Sequence, residues 1–135
     1  VFSGKRAGLV TLLIAAFAFL IQAIIAAGQD PAIKNSAKGK AVFIKNCAAC
    51  HTIGQGDLVG PDLLGVTRIR SHSWLMQTIQ QPDLMLEKKD PTTIQLLKKY
   101  NGIPMPNQHI TAQEAAWIIS YIESASAAQK KSKAK

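Results

Sequence analysis

Cys47 and Cys50, with His51 directly after the second thiol, form the run Cys-Ala-Ala-Cys-His, the densest chemistry in this 135-residue chain. Two thiols three positions apart followed by a histidine is the pattern for covalent c-type haem attachment. Each cysteine adds to one haem vinyl group as a thioether, and a two-residue spacer lets both sulfurs reach one edge of the ring. His51 then falls under the iron as the proximal ligand, imidazole nitrogen being the usual protein donor to haem iron. Two other readings share the spacing. A redox dithiol prefers a βαβ context, and the flanking sequence here is helical. A zinc site needs two more soft ligands, yet the chain holds only these two cysteines, with His72 and His109 irregularly placed. Haem is the reading these residues favour.

The second informative stretch is Gly102-Ile103-Pro104-Met105-Pro106-Asn107. Two prolines flank a methionine and stiffen the backbone on both sides, which holds a thioether at a fixed position instead of letting it fill a gap. Candidates for a second iron ligand are Met76, Met85, Met105, His72 and His109. Met105 leads them because it lies 54 residues after His51, between prolines, where a loop can cross the distal face. Met76 falls inside a predicted helix, and Met85 in a stretch of no comparable rigidity. Between the two motifs, Thr52 to Gly65 holds four of the nine glycines and one proline, and reads as a loop able to wrap the proximal side. Carbonyls near Pro61 offer acceptors for the other ring N–H of a ligating histidine. Arg68 and Arg70 follow at alternate positions, either as solvated charges or as partners of the haem propionates, to which guanidinium is geometrically matched. Trp74 reads as haem-pocket wall.

The elements that must position these residues are helices. Residues 37–46 suit a helix with Asn35 or Ser36 as N-cap, and Gly39, Phe43 and Cys47 fall on one stripe at i, i+4 and i+8. A short helix over 73–80 is stopped by Pro82. Asp90 to Gly102 carries a full set of boundary signals: Asp as N-cap, Pro at the first helical position, lysines in the last turn and Gly beyond. Thr111 and Glu114 form a capping box that opens a last helix, predicted to run to about Ala125. Ala115, Ile118, Ile119 and Ile122 supply its apolar stripe, with Trp117 and Tyr121 an aromatic pair. Residues 126–135 are small, polar and basic, and are predicted to fray into a disordered tail.

Upstream, residues 7–27 form a run of 21 without a charge, interrupted only by the polar Thr11 and Gln22. A helix of about 20 residues spans a bilayer core, whereas a signal-peptide apolar region is typically about 7–15. Length therefore favours a retained membrane anchor, although Ile25 to Gln29 offers small residues that a signal peptidase accepts. Under either reading Lys5 and Arg6 stay cytoplasmic, and everything after Gly28 emerges on the other face. Residues 29–36, with Pro31, read as a polar linker. The organisation expected is an anchor or uncleaved signal at 1–28, a linker at 29–36, a haem domain at 37–125 and a tail at 126–135.

A domain this small gains much from a large apolar cofactor in its core. The formal net charge is +8, from 16 Lys+Arg against 8 Asp+Glu, which favours an acidic partner surface or anionic lipid. Nucleic acid is disfavoured, because the basic residues are scattered and no nucleic-acid motif accompanies them. No nucleophile–base pair or carboxylate cluster argues for catalysis on a small-molecule substrate.

From about Ser36 to Ser124 the chain resembles a class I cytochrome c. The matching features are Cys-Ala-Ala-Cys-His at 47–51, Gly-Pro-Asp-Leu at 60–63, the Gly-Ile-Pro-Met-Pro-Asn loop at 102–107 and a closing helix with aromatics. The resemblance implies an all-α fold of about four to five short helices around one haem c, held through Cys47 and Cys50. It implies His51 and Met105 as axial ligands, with the Pro61 carbonyl orienting His51. It further implies a close crossing of first and last helices, Gly39 and Phe43 against Trp117 and Tyr121. A methionine opposite histidine raises the reduction potential, which suits a one-electron carrier in a respiratory chain. With the anchor, the expectation is a carrier on the outer face of a bacterial cytoplasmic membrane, serving membrane redox complexes with an acidic docking surface. Two alternatives stand beside it: a fixed haem subunit of one membrane oxidase or reductase, and a gas or redox sensor with a vacant or labile distal site.

Overall fold

The computed structural model describes residues 31–133, and among them every regular element is a helix. Contacts divide the chain into two units, 1–34 and 35–135; of the first, only 31–34 are described, as the opening turn of helix α1. The predicted membrane span at 7–27 lies outside the described residues. Among the described residues no helix is long and apolar enough to cross a membrane.

Among the described residues six helices follow one another: α1 (Pro31–Asn46), α2 (Val66–Ile69), α3 (His72–Gln80), α4 (Pro82–Glu87), α5 (Pro91–Lys99) and α6 (Ala112–Lys133). This exceeds the four to five expected, because α2 is a single turn closing the Gly-rich loop and Pro82 not only stops α3 but opens α4 at its first position. A proline tolerated at a helix start needs no N–H partner there, and its φ is already helical. The same property of Pro31 extends α1 back over most of the stretch expected to be a polar linker, so the cap expected at Asn35 or Ser36 is mid-helix instead.

Local signals elsewhere act as their chemistry requires. Ser71 caps α3 by accepting the Trp74 N–H, and the Asp90 carboxylate caps α5 by accepting the Thr93 N–H at 2.8 Å. At the start of α6 the Glu114 carboxylate accepts the Thr111 N–H at 2.9 Å while the Thr111 hydroxyl accepts the Glu114 N–H at 3.3 Å. That is the reciprocal capping box.

Phe43, Ile110, Ala115, Ile118 and Ile122 form the buried core cluster, with Cys47, Leu63, Val66, Met76, Ile79 and Tyr121 packed against it. The crossing of α1 and α6 is set by Gly39, where a Cβ would lie 1.9 Å from the Trp117 carbonyl oxygen. Only glycine permits that approach. One turn on, the Phe43 and Tyr121 rings sit 5.4 Å apart, a tilted aromatic pair.

The closing helix does not end near Ala125. It continues to Lys133, over most of the stretch expected to be disordered. Ser126 is buried, and its hydroxyl accepts the Gly65 N–H at 3.0 Å. The Gln129 amide donates to the Ile53 carbonyl at 3.2 Å. Small side chains at 124–128 let the helix lie close to the loop, and these partners supply what the composition alone lacks.

Candidate functional site

The turn that follows α1 presents the thiols and the histidine together. Cys47 N–H continues the helix by donating to the Phe43 carbonyl at 2.8 Å, and the Cys50 and His51 N–H groups both donate to the Cys47 carbonyl at 3.0 Å. This tight wrap aims Cys47, Cys50 and His51 into one cavity of about 280 Å³, near the lower edge of the ~300–1,000 Å³ typical of ligand pockets. Burial, helped by the neighbouring Cys50, pushes the Cys47 thiol up to about 11. A reactive dithiol has a lowered pKa. The raised Cys47 thiol does not favour a redox dithiol, whereas a thioether, which carries no charge at any pH, suits a buried position. Among the described residues no group of three or more His, Cys, Asp or Glu side chains could hold a metal ion, so nothing supplements the pair as a zinc site.

His51 is oriented by its loop. Its Nδ1–H donates to the Pro61 carbonyl at 2.9 Å, which leaves Nε2 as the free donor for iron. The approach depends on Gly60, where a Cβ would stand 2.6 Å from His51 Cε1. Asp62 holds the loop in shape. Its carboxylate accepts N–H groups from Gly54 at 2.7 Å and Leu64 at 2.8 Å on one oxygen, and from Gly56 at 2.7 Å on the other. Burial raises this carboxyl, but the hydrogen bonds from Gly54, Leu64 and Gly56 together outweigh it and leave the group below the ordinary carboxylate range. Neither role was assigned from the sequence. An aspartate bracketed by glycines two and six or more residues away is the signal that a carboxylate could be organising backbone N–H groups.

Met105 lines the same cavity as His51, between Pro104 and Pro106. The other candidates do not line it. Met85 is buried in the core and Met76 packs against the core cluster, while His72 and His109 are exposed. Leu96, Leu97, Tyr100 and Ile103, from α5 and the turn after it, complete this wall.

Arg70 lines the cavity, its guanidinium stacked over Trp74 at 5.4 Å and donating to the Thr92 hydroxyl at 3.4 Å. Arg68 is exposed and lies outside the lining. Trp74 is a wall residue, with its indole N–H committed to the Asp90 carboxylate at 3.1 Å. Thr78, not singled out from the sequence, lines the cavity with a buried hydroxyl that has no hydrogen-bond partner.

These features test whether a haem fits. The lining is almost wholly apolar, as a macrocycle face requires. Its polar groups include a pair of thiols, one imidazole with a free Nε2, one thioether, a guanidinium and an orphan hydroxyl, with Asp62, Thr93, Tyr100 and Gln108 also on the lining. An orphaned buried hydroxyl costs about 1–3 kcal/mol unless a ligand group meets it. The donor set suits an amphipathic, carboxylate-bearing iron porphyrin, and the fit is good.

Comparison with known proteins points the same way. The family profile described as Cytochrome c matches residues 36–126. A cytochrome c-553-like protein of Synechocystis is 30% identical over 122 residues, covering 85% of this chain and 92% of that protein. Among solved structures, the cytochrome c domain of a Pseudomonas putida protein is similar with a TM-score of 0.63 and 37% identity, covering 72% of this chain and 95% of that domain. A cytochrome c from Rhodothermus marinus is similar with a TM-score of 0.67 and 26% identity, covering 71% of this chain and 80% of that one.

Proposed function

This chain belongs to the cytochrome c family, an electron carrier with covalent haem c, and from that premise we propose that its iron is ligated by His51 and Met105. The observation that carries the proposal is the convergence of four side chains, Cys47, Cys50, His51 and Met105, on one apolar cavity. Bound haem supplies a one-electron couple. The residues do the rest: Cys47 and Cys50 hold the ring as thioethers, and the Pro61 carbonyl fixes the His51 tautomer through Nδ1–H. A methionine sulfur opposite a histidine raises the potential. In this reading Arg70 and the Thr78 hydroxyl meet the propionates. Two protein ligands leave no coordination position for a small-molecule substrate, which supports a carrier over a sensor.

The docking partner, in this reading, is a membrane redox complex with an acidic surface. The net charge of +8 supports electrostatic steering. The cavity lining contributes no lysine, and exposed Val59, Ile69 and Ile103 belong to it, so charge brings the partner close and apolar contact completes the interface. The uncharged run at 7–27 supports a membrane tether, with the haem domain on the outer face of a bacterial cytoplasmic membrane.

Met105→Ala tests the ligand assignment. The oxidised variant should lose the weak red-region absorption band of methionine-ligated haem, and its potential should fall by more than about 59 mV, a tenfold change for a one-electron couple. An unchanged spectrum rules Met105 out. For the tether, the measurement is the intact mass of protein recovered from membranes and from the soluble fraction. A mature soluble chain beginning near Gln29 would overturn it.

A further inference from the structure

Among the described residues one ion pair joins two otherwise separate segments: Lys99 Nζ stands 3.1 Å from Asp57 Oδ2. Asp57 belongs to the loop that holds His51, and Lys99 ends α5, six residues before Met105. The same Asp57 oxygen accepts the Tyr100 hydroxyl at 2.7 Å, and Lys99 also donates to that hydroxyl at 3.0 Å. The carboxylate is used on both sides. Its Oδ1 accepts the Asp62 N–H at 2.9 Å, one residue after the Pro61 carbonyl that orients His51. On the other side, the Tyr100 carbonyl accepts the Ile103 N–H at 3.1 Å, at the entry to Pro104-Met105-Pro106.

We propose that Asp57 is a positioning residue that ties the His51 loop to the segment carrying Met105, so that the thioether is held against release. The inference rests on Met105 being the ligand. It assigns the hold to a carboxylate that contacts neither ligand but bonds to Asp62, next to the Pro61 support of His51, and to Tyr100, the anchor before Met105. The Asp62 N–H, the Tyr100 hydroxyl and the Lys99 ammonium together draw the Asp57 carboxyl down to about 2, so the strut is charged at physiological pH. The need for it lies in the segment it reaches. The rings of Pro104 and Pro106 fix φ and make the loop stiff within itself, and because neither residue can donate a backbone hydrogen bond the loop must be anchored at its ends. Beyond Met105 the anchor is Asn107, whose amide donates to Asp83 at 2.9 Å. Before it the anchor is Tyr100.

The test uses the haem-loaded protein and exogenous imidazole, which competes with the thioether for oxidised iron. Asp57→Ala and Tyr100→Phe should each speed the imidazole-induced loss of the red-region band roughly two- to fivefold, the scale of an exposed charged network. The double variant should be no faster than the faster single one, because both remove the same bond. Glu123→Gln, which removes the same charge from α6, should leave the rate unchanged. The proposal is overturned if both single variants match the parent, if their effects multiply, or if Glu123→Gln accelerates entry equally. Failure of the ligand assignment has a different signature, namely a parent protein whose red-region band is absent or survives Met105→Ala.

Discussion

The two sides of the cavity are built by opposite means. The His51 side is held by hydrogen bonds from a loop that would otherwise be soft. It holds four glycines, and the Asp62 carboxylate, the Pro61 carbonyl and the Ser126 hydroxyl satisfy its donors one by one. The Met105 side has few such bonds. It relies on two prolines for stiffness and on anchors at Tyr100 and Asn107. A hydrogen-bonded loop fixes orientation as well as position, which an imidazole needs, since its tautomer and ring plane decide where Nε2 points. A thioether needs position alone. On the proposed ligand assignment, the difference makes Met105 the exchangeable member of the pair and the first place where an outside ligand would enter.

The comparison breaks most easily at Gly60. A Cβ there would stand 2.6 Å from His51 Cε1, so Gly60→Ala must push the ring off the Pro61 carbonyl. Overpacking of this kind costs about 1–3 kcal/mol, with the lost hydrogen bond adding to it. The expected result is a large fall in the thermal midpoint of the haem-loaded protein and a disturbed histidine signature in its spectrum. A variant that keeps both would show that the loop is softer than its hydrogen bonds imply.

Asp62→Ala removes the organising carboxylate and leaves three backbone N–H groups to water. We expect a loss of roughly 2 kcal/mol in denaturant unfolding, on the scale of charged hydrogen bonds. The spectrum should be less affected than in Gly60→Ala, because His51 and Pro61 are untouched.

Acid should act on this side as well as on the caps of α5 and α6, where Asp90 and Glu114 also have lowered carboxyls. Asp57 and Asp62 have carboxyls below their ordinary value of 3.8 in the folded protein. A depressed folded pKa contributes stability above the unfolded pKa and loses it as pH falls through the folded one. Stability is therefore expected to hold down to about pH 4 and to decline from there towards pH 2. Asp62→Ala should flatten that decline, as a pH series of thermal midpoints would show.

The smallest effect is expected where stiffness alone acts. Pro106→Ala restores backbone freedom to the unfolded chain and should cost only about 0.4–1 kcal/mol. Its larger consequence is kinetic, a faster displacement of Met105 by imidazole with His51 unaffected. A stability loss as large as that of Gly60→Ala would collapse the contrast between the two sides.

What could be read from residues alone is what residues settle with near neighbours. The Cys-Ala-Ala-Cys-His run, the Asp90 cap on Thr93 and the Thr111–Glu114 box each involve partners no more than four positions apart, so composition and spacing decide them. The apolar stripe at Ala115, Ile118, Ile119 and Ile122 is legible for the same reason, and all four are buried. Proline at a helix start is equally local, yet Pro31 and Pro82 also suit linkers and stops. Only the packed helices after them decide which meaning holds. The remainder depends on partners far along the chain. Ser126 and Gln129 turn a tail of disordered composition into helix by bonding to Gly65 and Ile53, 61 and 76 positions away. Asp57 finds Tyr100 at a separation of 43. An isolated segment carries no sign of such a partner, because the bond exists only once the helices have brought the two loops together, and it is these long-range bonds that join the segments lining the cavity.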